Sequence, residues 1–103
     1  MYARVISFGD ATPDKREAAI EMIRGTVIPL LRRIDGYEGY LSLYDEDNQR
    51  AKAIILWDSK DSAEAAEEQL RERRKGMTAQ VGITIESVDL YEAPVADLEG
   101  VRV

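Results

Sequence analysis

Tyr37-Glu-Gly-Tyr-Leu-Ser-Leu-Tyr-Asp-Glu-Asp-Asn-Gln-Arg-Ala-Lys-Ala-Ile-Ile-Leu-Trp57 decides the fold of this chain. From Tyr37 to Tyr44 the residues alternate. Tyr40, Ser42 and Tyr44 fall on one side and Gly39, Leu41 and Leu43 on the other, the two-residue period of a strand. Asp45 to Gln49 is a polar turn, and Ala51 to Trp57 is a second strand. So short a connection pairs the two as an antiparallel hairpin. The second strand has a further property: Ala53-Ile-Ile-Leu-Trp57 is apolar at consecutive positions, so both of its faces expect cover.

Upstream, Tyr2 to Phe8 is rich in β-branched and aromatic residues and closes at Gly9-Asp10, which reads as a strand. Thr12-Pro13 opens a helix, since proline at the first helical position gives up no hydrogen bond. Ala19, Ile20, Ile23, Val27, Leu30, Leu31 and Ile34 then recur at the three-and-four spacing of one helical face. Gly25 and Pro29 interrupt that face. Pro29 cannot donate to the carbonyl of Gly25, which predicts a kink or a break there. Asp35-Gly36 ends the helix, with Gly36 suited to the left-handed residue past its C-terminus.

Downstream, Asp58-Ser59 supplies caps for a second helix from about Lys60 to Lys75, with a thin apolar stripe of Ala63, Ala66 and Leu70 reaching toward Met77. Asp61, Glu64, Glu67 and Glu68 lead and Arg71, Arg73, Arg74 and Lys75 trail, which complements the helix dipole and reads as a solvated terminus. Ile83 to Tyr91 is the last strand; its alternation slips near Glu86-Ser87, which predicts a bulge. The order β-α-β-β-α-β gives an α+β, ferredoxin-like sandwich: a four-stranded antiparallel sheet with both helices on one face. It occupies a single domain, residues 1–92, followed by a tail, residues 93–103.

The two helices cover one face of the sheet, yet the other is not polar. Ile6 and Phe8 oppose Val5, Ile83 and Ile85 oppose Val88 and Leu90, and the third strand is apolar throughout. No remaining segment covers the second face. The expectation is a homodimer packed sheet to sheet, with a mass near twice 11.6 kDa.

Composition excludes more than it suggests. The 103 residues include 14 basic and 20 acidic side chains, a net charge of −6, so a polyanion is repelled and no nucleic-acid partner is expected. Cysteine and histidine are both absent, which removes thiol nucleophiles, the usual zinc and haem ligands, and the commonest base near neutral pH. No metal is expected: Asp45-x-Asp47-Asn48 only faintly echoes a calcium loop, whose twelfth position here is Leu56. The longest apolar run, Ala53 to Trp57, falls far short of the roughly 20 residues that span a bilayer. A cytoplasmic protein with no membrane partner is the default expectation.

Ile28-Pro-Leu-Leu-Arg-Arg-Ile-Asp-Gly-Tyr-Glu-Gly-Tyr40, followed by Ile54-Ile-Leu-Trp-Asp-Ser59 ahead of an acidic helix, resembles the antibiotic-biosynthesis-monooxygenase-like branch of the dimeric α/β-barrel superfamily. The resemblance runs through most of the chain in order and spacing. It implies a dimeric barrel of two sheets and a pocket in each subunit between sheet and helices. Members include cofactor-free oxygenases of aromatic polyketides, quinol oxygenases and haem-degrading enzymes. The last carry a helical histidine after the tryptophan and an asparagine in the first strand. The matching positions here are Glu67 and Arg4, so haem degradation is disfavoured. The resemblance implies a cofactor-independent monooxygenase acting on a planar, oxidisable aromatic or quinol. The alternatives are a non-catalytic dimer that binds such a molecule, and a protein whose only business is its dimer.

Five residues are candidates for the site. Trp57 ends its strand before a helix, where its ring can stack on a flat ligand or fill the core. Tyr40 and Tyr44 share a strand face, where they can orient a substrate hydroxyl and donate to an oxyanion, or serve a dimer interface. Arg4, a guanidinium within a sheet, needs a partner: Glu86 or Asp89 on a neighbouring strand, or an anionic substrate. Dioxygen reacts slowly with closed-shell molecules, so the substrate must be deprotonated to give up an electron. Without histidine, the base is a buried carboxylate, a tyrosine or water; Glu67, ten residues after Trp57, is the carboxylate candidate, its pKa raised where an apolar cavity surrounds it. Glu67 and Tyr40 are therefore the catalytic candidates, and Trp57, Tyr44 and Arg4 the substrate-binding ones.

Overall fold

The computed structural model describes residues 1–101, and in it the hairpin forms between β2 (Tyr37–Asp45) and β3 (Arg50–Trp57). β1 (Tyr2–Gly9) and β4 (Thr84–Glu92) complete one sheet in the order β2-β3-β1-β4, with every neighbouring pair antiparallel. Registered rows cross the sheet: Tyr40, Ile55, Arg4 and Leu90 lie side by side, as do Ser42, Ala53, Ile6 and Val88. Both rows face the helices. The core there joins Ile6, Ala53, Ile55 and Trp57 of the sheet to Leu31, Ala63, Ala66 and Leu70 of the helices.

The expected bulge is present, and it changes the arithmetic of the faces. Pairing between β1 and β4 jumps from Ser7–Ser87 to Phe8–Ile85, leaving Glu86 as the extra residue. Ile85, Val88 and Leu90 all pack on the helix-side core. They do not oppose one another as simple alternation predicts, because the extra residue shifts the period by one. The other face of β4 carries Ser87, Asp89 and Tyr91 instead. Apolar character on that face is concentrated across β2, β3 and β1, in the row Leu41, Ile54 and Val5 and the row Gly39, Leu56 and Ala3.

The first helical run begins with a 3₁₀ turn at Pro13–Lys15 and continues through α1 (Arg16–Met22), a π turn at Ile23–Val27, and α2 (Ile28–Leu31). The predicted break at Pro29 is thus a π turn. The amide of Ile28 donates to the carbonyl of Ile23, one residue further back than in an α-helix, so the ladder steps around the proline. Gly36 follows with φ of 90°, and an added Cβ would stand 2.5 Å from Ser62 Cβ and 2.6 Å from Asp58 Oδ1.

The second helix, α3, runs Lys60–Val81, past the expected end near Lys75. Ser59 caps it by accepting from the amide of Ser62 at 3.1 Å, and Gly82 at φ of 88° closes it. Gly76 costs about 1 kcal/mol in a helix interior, but Thr78 is buried and Met77 and Val81 line a cavity beyond it, so packing carries the helix through. Consequently Arg74 is not at a solvated terminus. It sits mid-helix, four residues past Leu70 on the buried stripe, and is 8% exposed. After β4 the amide of Ala93 donates to the carbonyl of Met1, and the chain continues without helix or strand to residue 101; residues 102 and 103 of the expected tail lie outside the described residues. Among the described residues no helix is long and apolar enough to cross a membrane.

Candidate functional site

A cavity of about 540 Å³ lies between the sheet and the first helical run, walled by Ile6, Phe8, Ile23, Val27, Leu31 and Met77. Tyr40 and Tyr44, two turns of the pleat apart on β2, line it together. Burial, and then the nearby Tyr37, push the Tyr40 phenol up to about 12, so it remains a protonated donor throughout the neutral range. The Tyr44 hydroxyl is buried and has no hydrogen-bond partner among the described residues. The guanidinium carbon of Arg16 stands 5.2 Å from the centre of the Tyr44 ring, a cation–π contact.

Arg4 and Glu67 meet elsewhere, in a groove between α3 and the β1–β4 edge bordered by Ile85 and Val88. Arg74 donates to both Glu67 oxygens, at 2.9 and 2.6 Å, in a bidentate pair. Arg4 Nε stands 3.7 Å from Glu67 Oε1 and Arg71 Nε 3.7 Å from Oε2. The Glu67 side chain is 12% exposed. Burial alone would raise its pKa, but the hydrogen bonds and charge of Arg74, with the charges of Arg4 and Arg71, outweigh it and hold the carboxyl below its ordinary value. This reverses the raised pKa expected of a carboxylate in an apolar pocket, because the pocket supplies three guanidiniums rather than hydrocarbon. It also corrects the partner of Arg4. β1 turns Arg4 toward the helices opposite Leu90, whereas Asp89 pairs with Val5 on the other face, and Glu86 is held by Arg50 at 2.9 Å.

Trp57 borders neither space. It is 1% exposed, packed within the core cluster, with the Tyr37 ring edge-on at 6.0 Å and 71°. Of its two readings the structure places it in packing. The five candidates thus divide three ways: Tyr40 and Tyr44 in the cavity, Arg4 and Glu67 in the guanidinium cluster, and Trp57 beneath both. Sequence reasoning passed over Arg74, which borders both spaces, and Arg16. The spacing of Arg74 from Ala63, Ala66 and Leu70 was the available signal; Arg16 offered none. Among the described residues no cluster of three or more acidic side chains is placed to hold a metal ion.

These features define a class: a ferredoxin-like α+β domain with a ligand-sized cavity between sheet and helices. No family model matches the sequence, and no curated protein matches it either. Solved structures do. A monooxygenase from Streptomyces coelicolor, the product of ActVA-Orf6 in complex with nanaomycin D, superposes with a TM-score of 0.71 at 15% identity, over 96% of this chain and 92% of that one. A protein from Deinococcus radiodurans, provisionally described as an antibiotic biosynthesis monooxygenase, gives 0.69 at 15% identity, over 94% and 96%. A Nitrosomonas europaea protein of unknown function gives 0.63 at 16%, over 96% and 95%. The chain has the ferredoxin-like fold of antibiotic-biosynthesis-monooxygenase-like proteins, as the sequence resemblance implied.

Proposed function

We propose that this protein is a cofactor-independent monooxygenase that takes a planar, oxidisable aromatic or quinol molecule into the sheet–helix cavity. The cavity itself supports this most strongly: about 540 Å³ with apolar walls and two phenols on one strand. Small-molecule sites run to about 300–1,000 Å³ and are built in this way, from apolar walls with few polar groups. The fold shared with a monooxygenase that binds nanaomycin D supports the same reading.

In the reaction, a substrate with two removable hydrogens combines with dioxygen: one oxygen atom enters the product and the other leaves with both hydrogens as water. The substrate anion supplies the electrons. Apolar walls exclude water from that anion, and Tyr40, held protonated, donates to its developing oxygen charge. Tyr44 orients the molecule. Glu67 is a positioning residue that fixes Arg74 at the cavity's edge and Arg4 behind it, and Trp57 backs the wall. The working unit is a homodimer in the cytoplasm, a second copy covering the Leu41, Ile54 and Val5 face.

One observation favours non-catalytic binding as a second reading. Among the described residues no carboxylate lines the cavity, and Glu67 is committed to its arginines, so no side chain there is a ready base near neutral pH. Oxygen uptake and calorimetric binding, measured on one panel of anthrones, quinols and flavonoid-like phenols, separate the readings. Oxygen consumed in step with product supports the monooxygenase, binding without uptake selects the second reading, and neither signal removes both.

A further inference from the structure

The side chains around the cavity are sorted by charge. Lys15, Arg16, Arg24, Lys52 and Arg74 line it, and among the described residues not one aspartate or glutamate does. This occurs in a chain with 20 acidic and 14 basic residues. Three of the five cations are committed. Lys15 donates to the carbonyls of Asp10 and Gly82, Lys52 to the hydroxyl of Ser7, and Arg74 to Glu67. The ion pairs of the described residues engage Arg4, Arg50, Arg71, Arg74 and Lys75, and neither Arg16 nor Arg24. Arg16 lies over the ring of Tyr44, whose buried hydroxyl is itself without a partner among the described residues.

An uncommitted guanidinium and an orphaned phenol at one place on an apolar wall have a common complement. We propose that the cavity selects a ligand whose apolar skeleton ends in a single carboxylate, one oxygen accepting from the Tyr44 hydroxyl and the charge facing Arg16. The inference rests on the cavity being a ligand site, as argued above, and adds the charge of what enters it. A carboxylate satisfies the buried hydroxyl that the protein leaves unpaired, and a charge-assisted hydrogen bond there is stronger than a neutral one. A ligand cation would be repelled by Arg16 at that place. A neutral ligand would gain nothing from that charge.

The test uses the whole chain and a matched pair of probes, anthracene-2-carboxylate and its neutral carboxamide, titrated by calorimetry near neutral pH. The wild type is expected to bind the acid at least about tenfold tighter, the worth of one hydrogen bond to a charged group. Arg16→Gln should remove most of that preference while leaving the amide affinity little changed, and Tyr44→Phe should weaken both probes but the acid more, since a charge-assisted hydrogen bond is the stronger. Arg16→Lys should restore part of it, and rising salt should weaken the acid alone. Equal affinity for the two probes, or a preference that survives both substitutions, overturns the charge assignment and leaves the cavity as a ligand site. Failure of the wild type to bind either probe overturns both.

Discussion

Glu67 has the buried guanidiniums of Arg4 and Arg74 for neighbours, so removing its charge leaves two cations facing each other out of water. Losing one partner of such a cluster costs far more than the cluster itself contributes, about 3 kcal/mol. Glu67→Gln should therefore lower stability by about that much in urea titrations, and Arg74→Met in the Glu67→Gln background should recover part of it. The acid limb carries a second signature. The folded state holds the Glu67 carboxyl below 4.5, its ordinary value, so its stabilisation is complete above that pH and is lost as pH falls through the lower folded value. The slope of stability against pH in that window should flatten in Glu67→Gln. Tyr40 supplies the opposite case at high pH. Its folded value of about 12 exceeds the ordinary 10.0, so the folded chain keeps a proton the unfolded chain gives up, and stability falls as pH rises between them. Tyr40→Phe should remove that decline in urea titrations across the same range.

Elements obey rules that a sequence displays openly, and the exceptions here have definite causes. The hairpin, the proline interruption and the bulge near Glu86 were all legible, because strand period, a missing amide and a slipped alternation are local signals. The extent of α3 was not, since Gly76 reads as a stop until the burial of Thr78 beyond it is known. The site was half legible. Two tyrosines on one face of β2 follow from alternation alone, but the partners of Arg4 and Tyr44 lie across the layers, and no spacing within one element reveals them. Where a local rule and a tertiary contact coincide, the prediction is sharp. Gly36 has both a left-handed φ of 90° and the side chains of Ser62 and Asp58 packed where a Cβ would stand. Gly36→Ala should lose about 2 kcal/mol or more in chemical denaturation, from backbone strain and displacement of the start of α3 together. Gly25→Ala, whose added Cβ meets nothing within 4 Å, should cost no stability.

At the scale of the whole molecule, the sheet is covered unevenly. On the face away from the helices Leu41 and Leu43 are 40% and 41% exposed, and the rows through Leu41, Ile54 and Val5 and through Leu56 and Ala3 make a continuous apolar strip over three strands. Toward β4 the strip gives way to Ser87, Asp89 and Tyr91, so the apolar part is off-centre. A two-fold partner would bury it by setting β2 and β3 of one copy against the same strands of the other. A stable pair needs about 800 Å² from each partner, a modest share of the 6812 Å² this chain exposes. Light scattering at micromolar concentration should accordingly give twice 11.6 kDa. Ile54 lies in the middle of the strip, between Leu41 and Val5, and Ile54→Lys would put a charge into that apolar strip from each copy. That variant should run at the single-chain mass yet still bind a cavity ligand, because Ile54 is not among the residues that line the cavity, to which β3 contributes Ala51, Lys52, Ala53 and Ile55. A wild type of single-chain mass ends the dimer argument. A monomeric Ile54→Lys that also loses its ligand would mean that the cavity's walls depend on the partner sheet behind them.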